Sequence, residues 1–397
     1  MLKLEKKEQC CGCTACANVC PKNCISMKAD VEGFLYPVVD ILNCIHCELC
    51  ENSCPVLHKQ KVHNMERKTY AVRSKSFDNL MHSTSGGIFE PFADFVLKKG
   101  GVICAASYDN EFNVSHIIIE HRNINLYDKI KGSKYVQSNM KDCLGQIEQL
   151  LCRKKLVGFV GTTCQVAGLK SFLKKDYPNL ITIDLVCHGT PSPKLWRKYL
   201  DYQSIRYKSC IKTVSFRSKV YGYHSGGMME IIFENGKVYR SSARTDYMLK
   251  SFFTEIASRP ICYECPFKAL ERVSDLTVYD CWHFSQLVVE KKDDDKGYTN
   301  VIVQSSKGEQ LLKNLKDSII CHHVDTELAI NYDGIMIREI AKKHNRRDEF
   351  YIGLDKAPLA EHIQNMIPVS TKDYTVETVK QLLYKIGILQ KVRRFMK

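Results

Sequence analysis

A chain of 397 residues, 44% hydrophobic and 26% charged, has the composition of an ordinary globular protein with room for two or three domains. That composition excludes a disordered chain, and the absence of any apolar run near the roughly 20 residues a bilayer requires excludes a membrane-spanning helix. The formal charge of +14 is offset only in part, by about 4 to 6, if the 20 cysteines bind two or three anionic clusters; the rest could steer acidic partners or anionic substrates, and no nucleic-acid module or basic stripe interleaved with aromatics accompanies it.

Met1 to Gln9 is polar and charged, so no secretory leader is expected, and a cytoplasmic compartment follows. The cysteines then keep ligand spacing rather than disulfide spacing. Cys10, Cys13, Cys16 and Cys20 fit C-x2-C-x2-C-x3-C-P, and Cys44, Cys47, Cys50 and Cys54 repeat it. Three thiolates on one compact turn wrap three corners of a 4Fe–4S cube, while the fourth reaches the other cube. Cys10, Cys13, Cys16 and Cys54 are therefore expected on one cluster, and Cys44, Cys47, Cys50 and Cys20 on the second. Cys11 and Cys24 read as small buried neighbours of the clusters. A zinc site explains one C-x2-C pair but not two complete runs each closed by proline. Oxygen-sensitive clusters of this kind suit an anaerobe.

Residues 1–60 thus form an α+β two-cluster ferredoxin-like module, and Val56 to Lys68 reads as a basic linker. A mixed α/β pattern follows. Strands are expected at Tyr70–Arg73, Val102–Ser107, Val114–Glu120, Leu156–Gly161, Leu180–Cys187 and Val301–Gln304, with helices over Ile88–Lys99, Lys141–Arg153, Thr163–Leu173, from Pro193, and over Gly308–Leu315. Asn235-Gly236 between Met228–Phe233 and Lys237–Arg240 signals a hairpin. Asp293 to Asp295 reads as a solvated loop. In the tail, Val379, Leu382, Leu383, Ile386 and Leu389 share one helical face, with Lys380, Lys385, Lys391, Arg393 and Arg394 elsewhere. That helix either packs on the body or docks to a partner or membrane surface.

Ser83-Thr84-Ser85-Gly86-Gly87 and Gly161-Thr162-Thr163 are small, hydroxyl-rich loops opening helices. Each could present backbone N–H groups to an anion or serve as an ordinary helix cap. Cys262 and Cys265 form a separate C-x2-C, which fits zinc, a redox disulfide or half a cluster site, the last being favoured beside loaded clusters.

Thr84-Ser85-Gly86-Gly87, Lys131-Gly-Ser-Lys-Tyr-Val-Gln-Ser138, Gly161-Thr-Thr-Cys-Gln-Val-Ala-Gly-Leu-Lys170, Cys187-His-Gly-Thr-Pro-Ser-Pro193 and Cys262-Tyr-Glu-Cys-Pro-Phe-Lys268 occur in this order. Together they resemble the beta subunits of coenzyme F420-reducing hydrogenases and F420-dependent dehydrogenases, here behind a two-cluster ferredoxin. The resemblance covers about residues 69–330 and implies a mixed α/β flavin-binding domain, in parts 69–150 and 151–330, with a helical extension over 331–397. It implies FAD lined by Ser85, Gly86, Gly87, Ser133, Lys134, Tyr135, Gln137, Ser138, Gly161, Thr162 and Thr163. It implies a third 4Fe–4S cluster on Cys164, Cys187, Cys262 and Cys265. His188 is a candidate proton donor, flavin contact or structural histidine. Lys268, Arg272 and Asp280 fall in the family's segment ending Gly-Asp-x-Trp. Here Tyr279 stands in place of that glycine, and Cys281, just before Trp282, could compete as a ligand. Cys104, Cys143, Cys152, Cys210 and Cys321 lack ligand spacing and read as buried thiols.

The expected function is an iron–sulfur flavoprotein oxidoreductase that passes electrons between the clusters and FAD and exchanges hydride with coenzyme F420 or another organic molecule. Similar ferredoxin-fused chains associate with cell-surface polysaccharide synthesis, which admits a sugar-linked substrate. A ferredoxin, flavodoxin or other redox protein is the expected electron partner. The alternative is an electron-transfer protein with no substrate chemistry of its own.

Overall fold

The computed structural model describes all residues except 1–2, 63, 122–125, 226, 390–391 and 393–397. The basic tail residues Lys391, Arg393 and Arg394 lie outside the described residues. Among the described residues, thirteen strands appear in chain order: β1 (Ile25–Ala29), β2 (Leu35–Val39), β3 (Lys68–Ser74), β4 (Val102–Tyr108), β5 (Val114–Glu120), β6 (Val157–Thr162), β7 (Leu180–Leu185), β8 (Ile211–Ser215), β9 (Met228–Phe233), β10 (Val238–Ser242), β11 (Leu276–Cys281), β12 (Tyr298–Val303) and β13 (Ile319–Val324).

The front module pairs β1 with β2 antiparallel and carries two four-residue helices, Ala15–Asn18 and Leu49–Asn52. The sequence repeat is also a backbone repeat. Gly12 and His46 take φ of 72° and 54°, and Thr14 and Glu48 take 63° and 60°. Alternating left-handed residues turn successive N–H groups inward, the arrangement by which a chain cradles an anionic centre.

The body is one eight-stranded sheet of order β13-β3-β12-β11-β7-β6-β4-β5. Its centre, β11, β7, β6 and β4, is parallel, and antiparallel strands flank it on both sides. Near-continuous apolar runs such as Leu180–Leu185 suit strands covered on both faces. The helix Phe89–Lys98 packs Phe92, Ala93, Val96 and Leu97 into the core formed with β3, β4 and β11. A second, three-stranded sheet, β10-β9-β8, shares a core with Trp196, Tyr199, Phe350 and Ile363, and with Phe34 of the front module.

Two expectations change here. The triad Asp293 to Asp295 is engaged: Asp293 meets His224 Nε2 at 2.7 Å, Arg73 Nη1 reaches Asp294 at 2.9 Å, and Asp295 Oδ1 accepts from His224 N. These bonds tie the β12 approach to the Tyr221–Ser225 segment and to β3, which a local reading of three carboxylates does not reveal. In the tail, the helix Thr371–Lys385 buries Glu377 and packs Leu383, while Val379, Leu382 and Ile386 of the expected apolar face stand exposed. Gly387 follows the helix in a left-handed conformation.

Candidate functional site

The carboxyl ends of β4, β6, β7 and β11 open onto one cavity of about 720 Å³. Ligands of open parallel sheets bind beyond these ends, because helix starts and strand-end loops converge there. Ser85, Gly87, Ser133, Lys134, Tyr135, Gln137, Ser138, Gly161, Thr162, Thr163, Cys164, Cys187, His188, Cys262 and Cys265 all line it. Gly86 does not. A Cβ there would stand 2.2 Å from Val72 O and 2.6 Å from Thr299 N, so this glycine lets its loop lie against the sheet.

The four cysteines arrive from three elements. Cys164 opens the helix Thr163–Leu173, whose start carries a capping box between Thr162 and Gln165. Cys187 follows β7, and Cys262 lies in the 3-10 turn Pro260–Glu264 with Cys265 at its end. Burial, then Cys187, Cys164 and Cys265, holds the Cys262 thiol well above its ordinary pKa, and burial with Cys164 pushes Cys265 up to about 11. Thiols with raised pKa stay protonated until a cationic centre offsets burial and the repulsion between their thiolates, which a bound metal cluster would do. Lys268 Nζ donates to Cys187 O at 2.7 Å, placing a cation beside the group. Cys281 belongs elsewhere: it is fully buried with Ala71, Phe284 and Tyr298 rather than at the cavity wall. Among the described residues no three or more His, Cys, Asp or Glu converge as single-ion ligands; a four-iron cube holds its ligands farther apart than one ion does.

In the front module, Cys20, Cys44, Cys47 and Cys50 line one small cavity together with Cys24. Burial, then Cys10, Cys54 and Cys50, pushes the Cys16 thiol up to about 12. Cys20 thus sits with the second run and Cys54 near the first, the proximity that crossed ligation needs. Cys11 lines the large cavity against Cys164, so it faces the third cysteine group as well as its own run. Of the cysteines expected as buried thiols, Cys104 and Cys143 are buried, whereas Cys152, Cys210 and Cys321 are exposed.

The polar wall is largely committed to protein partners, as buried polar groups must be. Ser85 Oγ donates to Tyr298 O at 2.6 Å and Ser133 Oγ to Thr84 Oγ1 at 3.0 Å. Ser138 Oγ meets His116 Nδ1 at 2.7 Å, Thr163 Oγ1 donates to buried Asp184, and Gln137 Oε1 accepts from Arg259. Arg272 also reaches Thr163 and Asp184, so its role is to brace the wall. Lys134 Nζ donates to Lys131 O and Gly132 O, and burial pushes its pKa down to about 7. Tyr135 stacks on Phe252 at 4.5 Å. His188 Nε2 stands 2.9 Å from Glu255 Oε1 without hydrogen-bond alignment, and burial, then Lys268, lowers its pKa.

Among residues that the sequence did not single out, Arg217 completes the wall and Lys219 braces it from behind. Arg217 Nη1 donates to Asp280 Oδ2 and Tyr135 Oη, both at 3.0 Å. Lys219 Nζ donates to Leu80 O, Ser85 O and Lys296 O at 2.6, 2.5 and 2.7 Å, tying the Ser83–Gly87 loop into the body. The only local signal was a stretch, Phe216-Arg-Ser-Lys-Val-Tyr-Gly-Tyr223, that mixes cations with aromatics.

Comparison with known proteins adds two family matches. Residues 154–327 match the family described as the C terminus of the coenzyme F420 hydrogenase/dehydrogenase beta subunit, and residues 9–57 match the 4Fe-4S dicluster domain. No curated protein matches the chain. A similar solved chain comes from a structure titled xenon derivatization of the F420-reducing [NiFe] hydrogenase complex from Methanosarcina barkeri. It has 16% identity, covering 64% of this chain and 81% of that one, with a TM-score of 0.42.

Proposed function

We propose that this chain, whose residues 154–327 belong to the family of coenzyme F420 hydrogenase/dehydrogenase beta subunits and follow a 4Fe-4S dicluster domain, is an iron–sulfur flavoprotein oxidoreductase. The observation that carries this reading is convergence in one cavity of four cysteines with the Ser83–Gly87, Ser133–Ser138 and Gly161–Thr163 segments, the last running directly into Cys164. A volume of about 720 Å³ falls within the range of cofactor sites. A relay between proteins needs no such cavity, so the electron-transfer-only reading leaves it without a use.

The residues present fit both groups. Cys164, Cys187, Cys262 and Cys265 would hold the third 4Fe–4S cluster, with Lys268 beside them. Ser85, Gly87, Ser133, Lys134, Tyr135 and Gly161 to Thr163 would line FAD, whose chemistry joins one-electron exchange with clusters to two-electron hydride exchange with a substrate. Gly86 would act by holding its loop against the sheet, and Gln137 and Ser138 by bracing the wall. His188, whose pKa burial lowers with Lys268 adding to the effect, would contact the ring or exchange a proton there. Coenzyme F420 and a sugar-linked organic molecule are the candidate hydride partners, with a ferredoxin or flavodoxin supplying or taking single electrons.

The test is to purify the protein without oxygen, reconstitute it, and measure iron and released flavin on one sample. About 12 iron atoms and one FAD per chain support the reading; about 8 and none sink it. Bleaching by dithionite without hydride exchange to any soluble cofactor would favour the relay.

A further inference from the structure

Arg217 follows β8 and faces the cavity with its side chain 8% exposed. Three of its sides are occupied. Nη1 donates to Asp280 Oδ2 and Tyr135 Oη, and the guanidinium lies 4.8 Å from the centre of the Trp282 ring. Nη2 is buried and has no hydrogen-bond partner among the described residues. A charged donor stripped of water and left unpaired is costly, so its natural complement is an oxygen anion within the cavity.

The surrounding charge agrees. Asp280 is shared, since Tyr223 Oη donates to its other oxygen at 3.1 Å. Nearby, Lys219 Nζ donates to carbonyl and hydroxyl oxygens only, with no carboxylate hydrogen-bonded to it among the described residues; burial pushes its pKa down to about 7, so an anion close by would favour its charged form. Arg217 also links the two polar segments, because Tyr135 belongs to one and Tyr223 meets Ser85 Oγ of the other at 3.2 Å. An anion held there stands between them.

We propose that Arg217, set by Asp280, Tyr135 and Trp282, is an anion anchor that takes a phosphate or carboxylate oxygen of a molecule bound in the cavity. The anion is either the flavin dinucleotide's pyrophosphate or an acidic group of the hydride partner. Only this choice of source rests on the proposed flavin site.

The chain has two tryptophans, and only Trp282 lines the cavity while Trp196 is 1% exposed in the core, so a ligand-dependent change in emission is assigned to Trp282. The full chain without flavin is titrated with inorganic pyrophosphate as wild type, Arg217→Lys and Arg217→Met, each checked for iron content and melting temperature. Saturable quenching is expected in wild type, with affinity about ten- to a hundredfold weaker in Arg217→Met and intermediate in Arg217→Lys. The lysine variant keeps the charge and decides the matter if the methionine variant misfolds. FAD and riboflavin titrations then assign the source. Loss for FAD but not riboflavin assigns the anchor to the cofactor. Unchanged FAD binding, with pyrophosphate response lost only in the variants, assigns it to the second molecule. Equal pyrophosphate affinity in wild type and variants, or no response in wild type, overturns the proposal. A wild-type chain that takes no flavin refutes the oxidoreductase reading, while the pyrophosphate arm still decides Arg217.

Discussion

Cys11 and Cys13 are two residues apart and meet different surroundings. Cys13 lies against Gly168 of the helix Thr163–Leu173, whereas Cys11 lines the large cavity. The Cys13 thiol, assisted by burial, holds Cys11 well above its ordinary pKa, with Cys164 pulling the other way. If the third cluster uses Cys164, Cys187, Cys262 and Cys265, then Cys164→Ser or Cys262→Ser lowers iron from about 12 to about 8 per chain, while Cys11→Ala and Cys281→Ser keep about 12. Loss of four irons from Cys11→Ala would reassign the set. His116 carries a different prediction. Its ring is buried between Ser138 Oγ and Val160 O, and burial pushes its pKa down to about 4. The unfolded chain binds this proton near 6.5, the folded chain only near 4. Between those values the unfolded state holds more protons, so stability falls as pH drops from about 7 to about 4, by up to about 3 kcal/mol. His116→Gln should flatten that slope in denaturant titrations at several pH values. An unchanged slope would remove His116 as its source.

At the scale of elements, the helix Thr163–Leu173 brings the front module to the cavity. A Cβ at Gly168 would lie 2.6 Å from Cys13 Cβ and 2.9 Å from its sulfur. Gly168→Ala gains about 1 kcal/mol of helix propensity but must push apart two packed segments, which costs about 1–3 kcal/mol. The clash should win, with a net loss of stability on chemical unfolding and weaker iron retention; a stabilised variant would show that this contact yields. That glycine was legible in sequence only as part of a motif, because its partner lies 155 positions away. Local patterns fared better. The alternation and apolar runs behind β5 and β6, the hairpin at Asn235-Gly236 and the helix after Gly161 are physical consequences of period and turn chemistry. Arg217, Arg259 and Lys219 were not legible, because a lone cation in a sequence looks the same whether solvated or buried among carbonyls. The tail was legible in part: Leu383 and Leu389 pack with Tyr221 and Met228 while Val379 and Leu382 stand exposed, because an apolar stripe marks a face but not which neighbour covers it.

In the whole molecule, the front module is built into the body. Arg259, fully buried just before the Cys262–Cys265 pair, donates to Cys10 O at 2.7 Å, Leu35 O at 2.9 Å and Gln137 Oε1 at 2.9 Å. One guanidinium therefore touches the first cluster run, the β2 strand and the cavity wall. Phe34 is buried with Tyr351 at 5.8 Å between ring centres, which draws the C-terminal helices into the same contact. Arg347 closes it: Nη1 and Nη2 meet the two oxygens of Glu32 at 2.6 and 2.5 Å, with the arginine side chain 2% exposed and the glutamate 12%. A buried bidentate pair adds little over a well-packed apolar pair, but leaving one charge alone is severe. Arg347→Met should thus destabilise the chain by about 3–5 kcal/mol, and Glu32→Leu added to it should recover much of that loss. The readout is the unfolding midpoint followed by both cluster absorbance and far-ultraviolet circular dichroism. If the front module is integral, the two probes move together in every variant. Separate transitions, with cluster absorbance lost first and the body unaffected by Arg347→Met, would mean that the module docks without sharing the body's stability.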